Sequence, residues 1–241
     1  TKLFTAKLRL NFYLLNLFYK QTIMDYKQQT LTKAYEFAKQ ELSMAEPGHD
    51  WWHAVRVKNM ALKIAKTEGG DVLIIELSSL LHDIADSKFC SEENNSGLKK
   101  VSKFLKTNIT DDKINNQIIH IIKNISFSTF DDSAKSNTVE FSVVQDADRL
   151  DAIGAIGIAR TFSYGGYKKR VLYNPQIPPI LNMTTTEYKK NSAPTINHFY
   201  EKLLLLKDKM NTKTAQEIAK KRHDFLELFL EQFYAEWNCK L

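Results

Sequence analysis

The sequence is poor in the residues that stabilise small secreted folds and in those that interrupt helices. Its 241 residues include 2 cysteines, 5 prolines and 8 glycines. Cys90 and Cys239 lie far apart and form no CxxC pair, which argues against a disulfide framework or a zinc ribbon and favours a reducing, cytoplasmic setting. Since strand patterns are also scarce and long segments have helical periodicity, the sequence predicts an all-α fold.

Acidic residues are missing from the start of the chain. Residues 1–23 carry four cations and account for +4 of the net charge of +6: Lys2, Lys7, Arg9 and Lys20. The rest of the chain is nearly balanced, so the sequence indicates no dedicated nucleic-acid-binding surface. The sequence is still compatible with a small basic patch that binds a phosphorylated small molecule.

The same opening segment has no long uninterrupted apolar run. Asn11, Asn16 and Lys20 interrupt its apolar residues, so the segment is too short and too broken to span a membrane. The sequence is still compatible with a targeting peptide or an interfacial helix here. We predict that residues 1–23 are an extension outside the fold and that the native chain starts at Met24. Residues 24–241 are then expected to form one domain.

Two amphipathic helical patterns lie in residues 49–86, joined by a Gly-Gly break. The first contains His53, and the second ends at the pair His82-Asp83. Apolar residues at helical spacing predict one buried face on each helix. These faces are Val55, Met60, Ala61, Ile64 and Ala65 on the first helix, and Leu73, Ile74, Leu77, Leu80 and Leu81 on the second.

Further helical patterns precede and follow this pair. They predict helices over 25–44, 98–107, 111–125, about 143–158 (with Gly154 and Gly157 interrupting it), 195–210 and 213–237. Residues 163–194 lose the helical period and contain four of the five prolines. Loops of this length in a compact domain are usually lids or binding loops, or else disordered. We predict an irregular insertion before the C-terminal helices.

Three segments far apart in sequence supply His53, the His82-Asp83 pair and Asp148. Two imidazoles and two carboxylates form a mixed nitrogen and oxygen set that suits a borderline divalent metal, with positions left for water or substrate. Carboxylates in an apolar helix are unfavourable unless they are paired or metal-bound. The pattern therefore indicates a metal site between packed helices.

Other histidines and aspartates near these positions have simpler explanations. The phrase from His49 to His53 mimics the HExxH pattern of zinc proteases, but Asp replaces Glu, so His49 fits better as a cap or as a partner of a ligand. His120 is interpreted as a core or surface histidine rather than a ligand of a second metal. Asp151 is a candidate partner of a metal ligand, and Asp146 a capping residue or an ion-pair partner.

The set His53, His82-Asp83 and Asp148 resembles the H…HD…D signature of the HD-domain superfamily of metal-dependent phosphohydrolases. Four phrases are similar to one bacterial branch of it: HDWWHAVRV, LLHDIADSKF, VVQDADRLDAIGAIGIARTFSYGG and HFYEKLLLLKDKMNT. The resemblance covers residues 26–237. It implies an all-α HD-domain helical bundle that holds one divalent metal ion, Mn first, with Co, Mg, Zn, Fe and Ni as alternatives.

The resemblance also implies a function and a set of site residues. Members of the branch hydrolyse nucleotides, including deoxynucleoside triphosphates to monophosphate and pyrophosphate. The implied metal ligands are His53, His82, Asp83 and Asp148, and the implied catalytic residue is Asp86, where Glu is commoner. The predicted substrate-binding residues are Arg56, Lys123, His198 and Lys202.

Two other functions stay open at this stage. The first is a phosphohydrolase that acts on another small phosphate ester or on a signalling nucleotide. The second is a non-catalytic module with the HD fold that senses a nucleotide. The complete set of ligand residues argues against the sensor, because binding alone does not require a hydrolytic ion. A homodimer is compatible with the sequence, and neither a membrane nor a nucleic acid is an expected partner.

Overall fold

The computed structural model describes residues 2–46, 48–85, 96–125, 138–184, 186–187 and 191–241. Within these ranges the chain forms nine α-helices and no β-strand, which confirms the all-α prediction. The helices are α1 (Lys2–Glu41), α2 (Trp51–Glu68), α3 (Val72–Leu81), α4 (Ser96–Asn108), α5 (Asp112–Asn124), α6 (Val139–Asp151), α7 (Gly154–Tyr167), α8 (Asn197–Glu201) and α9 (Lys213–Trp237). Turns of 3₁₀ helix span His82–Ala85, Leu203–Leu205 and Lys207–Lys209.

Helices α2, α3 and α6 form the centre of the bundle. Helix α2 packs against both others, while α1 covers α3 and α9 covers α6 and α7. Asp50 caps α2 by accepting from the backbone N–H of His53 at 2.9 Å, and Asp71 caps α3 by accepting from that of Leu73 at 2.8 Å. These caps satisfy N–H groups that a helix start leaves unpaired. They fix where α2 and α3 begin.

The predicted buried face is correct for α3 and partly wrong for α2. All five apolar residues predicted for α3 are buried. In α2, Val55, Met60 and Ala65 are only half-buried, and the buried set is His53, Ala54, Val57, Ala61 and Ile64. The buried stripe is thus centred on the side of α2 that includes His53, because α2 packs between α3 and α6.

The predicted helix over 143–158 is wrong, because two helices meet there. Helix α6 ends at Asp151, and α7 begins at Gly154, whose φ of 76° is outside the helical range. A Cβ atom at Gly154 would lie 3.0 Å from Cγ of Arg222. The guanidinium of Arg222 donates to the carbonyl of Leu150, which satisfies an acceptor at the end of α6.

We call residues 168–196 the insertion loop. Its described residues, 168–184, 186–187 and 191–196, are mostly irregular, and the loop is tied at its base. The N–H groups of Thr195 and Ile196 donate to the carbonyls of Val171 and Leu172 at 2.9 and 3.1 Å. Beyond the loop, the predicted helix 195–210 is wrong: the five-residue α8 is followed by two 3₁₀ turns. The predicted insertion before the C-terminal helices is confirmed in the described part of the loop, but its predicted start at residue 163 is wrong, because α7 continues to Tyr167.

Helix α1 runs from Lys2 to Glu41 without a break across Met24, so the predicted start of this helix at residue 25 is wrong. Residues 21, 22 and 24–29 are exposed, and Thr30 is the first buried residue among the described side chains of this helix. The boundary of the domain at residue 24 stays a prediction. None of the described helices combines the length and the hydropathy needed to cross a bilayer.

Candidate metal centre

Three elements bring the four predicted ligands together. His53 lies in the first turn of α2, His82 and Asp83 begin the 3₁₀ turn that follows α3, and Asp148 lies in the last turn of α6. His53, His82 and Asp83 are buried, and the side chain of Asp148 is 30% exposed. Among the four predicted ligands, Asp148 therefore has the most exposed side chain.

His53 is held by a hydrogen bond at one nitrogen and faces two carboxylates with the other. Its Nδ1 lies 2.7 Å from Oδ2 of Asp151. Because an ionised carboxylate only accepts, Nδ1 is the donor, and a neutral ring then presents a lone pair at Nε2. That Nε2 lies 3.3 Å from Oδ2 of Asp83 and 3.3 Å from Oδ1 of Asp148.

His82 is oriented in the same way by the backbone. Its Nδ1 lies 2.8 Å from the carbonyl oxygen of Ser79, an acceptor, so a neutral His82 also presents its lone pair at Nε2. This Nε2 lies 3.3 Å from Oδ1 of Asp83 and 3.8 Å from Oδ1 of Asp148. The carbonyl therefore sets the direction in which His82 acts as a ligand.

These contacts fit a divalent cation better than they fit hydrogen bonding. The Nε2 atoms of His53 and His82 are buried and have no hydrogen-bond partner among the described residues. When the rings are neutral, both direct a lone pair at carboxylate oxygens, so acceptors point at acceptors. Ligand atoms about 2.1 Å from one ion lie about 3.0–3.4 Å apart in tetrahedral or octahedral geometry, close to most of the distances here. The donor set of nitrogen and oxygen suits a borderline metal.

The pKa values in this centre reflect the mixture of rings and carboxylates. Burial and the nearby Arg160 lower the pKa of His53, but its carboxylate neighbours outweigh them and raise it to about 9. Burial raises the pKa of Asp83 and of Asp148, yet the neighbouring histidines hold both well below their usual range. The negative charge that stabilises a proton on His53 would also favour a cation, whose binding displaces that proton.

Asp151 forms a second layer behind His53. Besides His53, it accepts hydrogen bonds from Nε and Nη2 of Arg56 at 2.8 and 3.0 Å, and from Nη1 of Arg160 at 2.9 Å. The guanidinium of Arg56 thus lies at Asp151, on the Nδ1 side of His53. Sequence reasoning proposed Asp151 as a partner of a ligand but missed Arg160, since nothing in the local pattern around it indicates a contact with α6.

His49 lies beside the centre in the loop before α2. Its Nδ1 is 3.1 Å from Oδ2 of Asp83, and its side chain is 22% exposed. One nitrogen of His49, one of His53 and one oxygen of Asp83 are close enough to be ligands of a single ion. This contact agrees with the interpretation of His49 as a partner of a ligand and not as part of a protease motif.

The remaining predicted site residues lie in other places. Asp86 falls outside the described residues. Lys123 is exposed in the last turn of α5, a helix that packs against the 3₁₀ turn carrying His82. His198 and Lys202 are half-buried in and just after α8, and the N–H of Lys202 donates to the carbonyl of His198 at 3.0 Å.

Comparison with known proteins identifies the class. Residues 51–153 match the family described as HD domain. The solved structure of an HD-superfamily hydrolase from Bacillus thuringiensis is 45% identical, covers 88% of this chain and 98% of its own, and superposes with a TM-score of 0.69. The chain therefore belongs to the HD-domain superfamily and is a metal-dependent phosphohydrolase.

Two more relatives are similar over most of their length. The Bacillus subtilis protein YpgQ is 37% identical over 186 residues, which are 77% of this chain and 82% of YpgQ. Its crystal structure in complex with ADP covers 86% of this chain and 97% of its own, with a TM-score of 0.67. A protein from Lactobacillus plantarum is 36% identical, covers 88% of this chain and 98% of its own, and has a TM-score of 0.78.

Proposed function

We propose that this chain uses one divalent metal ion to hydrolyse nucleotides, converting (deoxy)nucleoside triphosphates to monophosphate and pyrophosphate in the cytoplasm. The observation that carries the proposal is the pair of buried Nε2 atoms of His53 and His82, which face the carboxylates of Asp83 and Asp148. We favour Mn as the ion, with Co, Mg, Zn, Fe and Ni as alternatives, because imidazole and carboxylate together suit a borderline metal.

The proposed roles divide between holding the ion and handling the substrate. His53, His82, Asp83 and Asp148 hold the ion, which when bound supplies Lewis acidity to acidify a water and polarise a phosphoryl oxygen. Asp151 keeps the proton of His53 on Nδ1, so that Nε2 faces the ion. Asp148, whose side chain is the most exposed of the four, would lie on the side that the substrate reaches.

Acid–base chemistry and phosphate binding fall to residues beside the ligand set. Asp86, three residues past Asp83, would orient or deprotonate the attacking water. Lys123, His198 and Lys202 would neutralise the phosphates of the substrate. Arg56, predicted with them, would instead hold Asp151 behind His53, because its guanidinium donates to both oxygens of that carboxylate. The insertion loop would form the wall that distinguishes one base from another.

A nucleotide is the favoured substrate for two reasons. YpgQ, a relative at 37% identity, forms a crystalline complex with ADP. In addition, the phrases around the ligands resemble the branch whose members cleave nucleoside triphosphates. Another small phosphate ester or a signalling nucleotide is the alternative substrate, and a nucleotide sensor without catalysis is the alternative function.

The test is product release from a panel of nucleotides. Metal-stripped protein is reloaded with Mn, Co, Mg or Zn and assayed separately for phosphate and for pyrophosphate. We expect pyrophosphate from triphosphates, and we expect it to be lost in His82→Ala, because that variant removes one ligand. Orthophosphate in place of pyrophosphate would contradict the bond assignment. Metal binding without turnover of any nucleotide would favour the sensor or a different ester.

A further inference from the structure

One face of α7 carries two tyrosines followed by cations. Tyr164, Tyr167 and Lys168 follow Arg160 at spacings that place all four on one side of the helix. Nζ of Lys168 lies 4.8 Å from the ring centroid of Tyr167 and 5.2 Å from that of Tyr164. The guanidinium carbon of Arg170 lies 5.8 Å from the centroid of Tyr164. We call Tyr164, Tyr167, Lys168 and Arg170 the aromatic–basic patch.

Two contacts tie this face of α7 to the loop that precedes α2. Arg160 donates to Asp151 at 2.9 Å and to the carbonyl of Gly48. Two turns further on, Nζ of Lys168 lies 3.1 Å from Oε2 of Glu46. Glu46 and Gly48 belong to the loop that also supplies the outermost histidine of the metal centre. The loop before α2 therefore links the patch to the metal centre.

Helix stability explains part of the patch but not the exposed ring. Cations just past the end of a helix offset its dipole, and the pair with Glu46 gives Lys168 a structural role. Neither role involves the ring of Tyr167, which is 55% exposed. Lys168 and the tilted ring of Tyr164, whose centroid is 6.5 Å away, lie beside this ring, and its exposed area is available to a planar ligand. Nucleic acid bases stack on such rings whatever their sequence.

We propose that Tyr167 is the surface on which the base of the nucleotide stacks, and that Lys168 and Tyr164 are positioning residues that hold its ring. This inference rests on the proposed function and assigns a binding site to the base, which inorganic polyphosphates lack. With the phosphates at the metal centre, the base lies outside it, along the loop beside α7. The patch would then select nucleotides over phosphate compounds without a base.

The experiment compares two ligands on Mn-loaded protein by calorimetry. One is a nucleoside triphosphate with a methylene group between its α and β phosphorus atoms, and the other is inorganic tripolyphosphate. We expect Tyr167→Ala to bind the nucleotide about 5- to 100-fold more weakly, because it loses a stacked base. Affinities for tripolyphosphate and for Mn should not change. In turnover, the KM should rise more than kcat falls, and Tyr167→Phe should behave like the wild type.

Control variants and outcomes separate this inference from the proposed function. Phe225→Ala removes a ring of α9 that is 46% exposed and should leave both affinities unchanged. Equal nucleotide binding by wild type and Tyr167→Ala would overturn the stacking site, while wild-type turnover would leave the proposed function standing. Equal losses for both ligands would also overturn it, since they indicate a structural role. A wild type that binds neither ligand would overturn both proposals.

Discussion

Asp151 is the residue on which the orientation of His53 depends most. Its two oxygens accept from His53, Arg56 and Arg160, so it holds an imidazole and two guanidinium groups at once. The hydrogen bonds from His53 and Arg56 outweigh its burial and hold the pKa of Asp151 well below its usual range. An ionised carboxylate is therefore the form that orients the ring.

Replacing this carboxylate with an amide should weaken metal binding. We expect Asp151→Asn to lower the affinity for Mn about 10- to 100-fold, the usual effect of removing a partner of a metal ligand. The physical reason is that the amide loses the negative charge and can donate to His53, which favours the wrong tautomer. Equilibrium dialysis measures the affinity, and Asp208→Asn, an exposed change, serves as the matched control. Identical affinities in all three proteins would contradict the role of Asp151.

Asp146 is buried two residues before Asp148 and has a structural role. Its oxygens accept from the N–H groups of Asn211 and Thr212 at 2.8 and 2.7 Å and from the hydroxyl of Thr212 at 2.8 Å. These groups stand at the start of α9, which Thr212 caps. The sequence-based suggestion that Asp146 caps structure is confirmed.

Loss of this carboxylate should destabilise the protein. We expect Asp146→Ala to lower the free energy of unfolding by about 2–4 kcal/mol, since several buried donors lose their acceptor. Denaturation in urea measures the change, and metal affinity measured in parallel should stay near that of the wild type. A stability change below about 1 kcal/mol would show that water replaces the carboxylate.

At the residue scale, sequence reasoning predicted the groups with distinctive chemistry and, apart from Asp151 and His49, missed the groups that support them. The histidines and aspartates of the centre stand out because such side chains are unusual in apolar helices. Arg160 does not stand out, because its contacts with Asp151 and Gly48 depend on how α7 turns back. The carbonyl of Ser79, which orients His82, is a backbone group that no residue type reveals.

At the scale of elements, periodicity predicted the long helices well. The predicted helix 213–237 agrees with Lys213–Trp237, and 111–125 agrees closely with Asp112–Asn124. Periodicity did not predict the change to 3₁₀ geometry at His82, which directs two neighbouring side chains at one centre. The sequence marks Gly154 as an interruption, but periodicity did not predict that α6 ends at Asp151, because the apolar pattern continues through a turn that tertiary contacts with Arg222 stabilise.

The insertion loop should respond to a change at its base. A Cβ atom on Gly165 would lie 2.3 Å from Oγ1 and 2.9 Å from Cγ2 of Thr195, whose N–H donates to Val171. We expect Gly165→Ala to displace Thr195 and to cost about 1–3 kcal/mol of stability, as overpacking does. Substrate preference should change more than metal content, because the loop and not the ligands moves.

A second substitution tests whether a clash with Thr195 causes the loss of stability in Gly165→Ala. Adding Thr195→Ala to Gly165→Ala removes both clashing atoms, so the double variant should regain part of the lost stability, as measured by thermal unfolding. An additive loss in the double variant would contradict the steric explanation. A wild-type substrate profile in Gly165→Ala would count against the loop as the wall that distinguishes bases.

At the scale of the whole molecule, residues 24–29 of α1 contribute little to the core. They are exposed, and among the described side chains of this helix burial begins at Thr30 and continues at Ala34 and Ala38. We expect a chain that starts at Met24 to keep the unfolding midpoint and the metal affinity of the full chain. Calorimetry of both proteins measures this, and a midpoint lower by more than a few degrees would place residues 1–23 inside the fold.

Helix α2, the 3₁₀ turn after α3, and α6 bring the four predicted ligands together at one metal centre. Metal binding is therefore the most direct test of the account. Metal-stripped protein is dialysed against Mn, and the bound ion is counted per chain for the wild type, His82→Ala and Asp148→Ala. The account predicts about one ion per wild-type chain and a large loss of affinity in each variant, with helical circular dichroism unchanged. Equal binding by all three proteins, or none by the wild type, would contradict it.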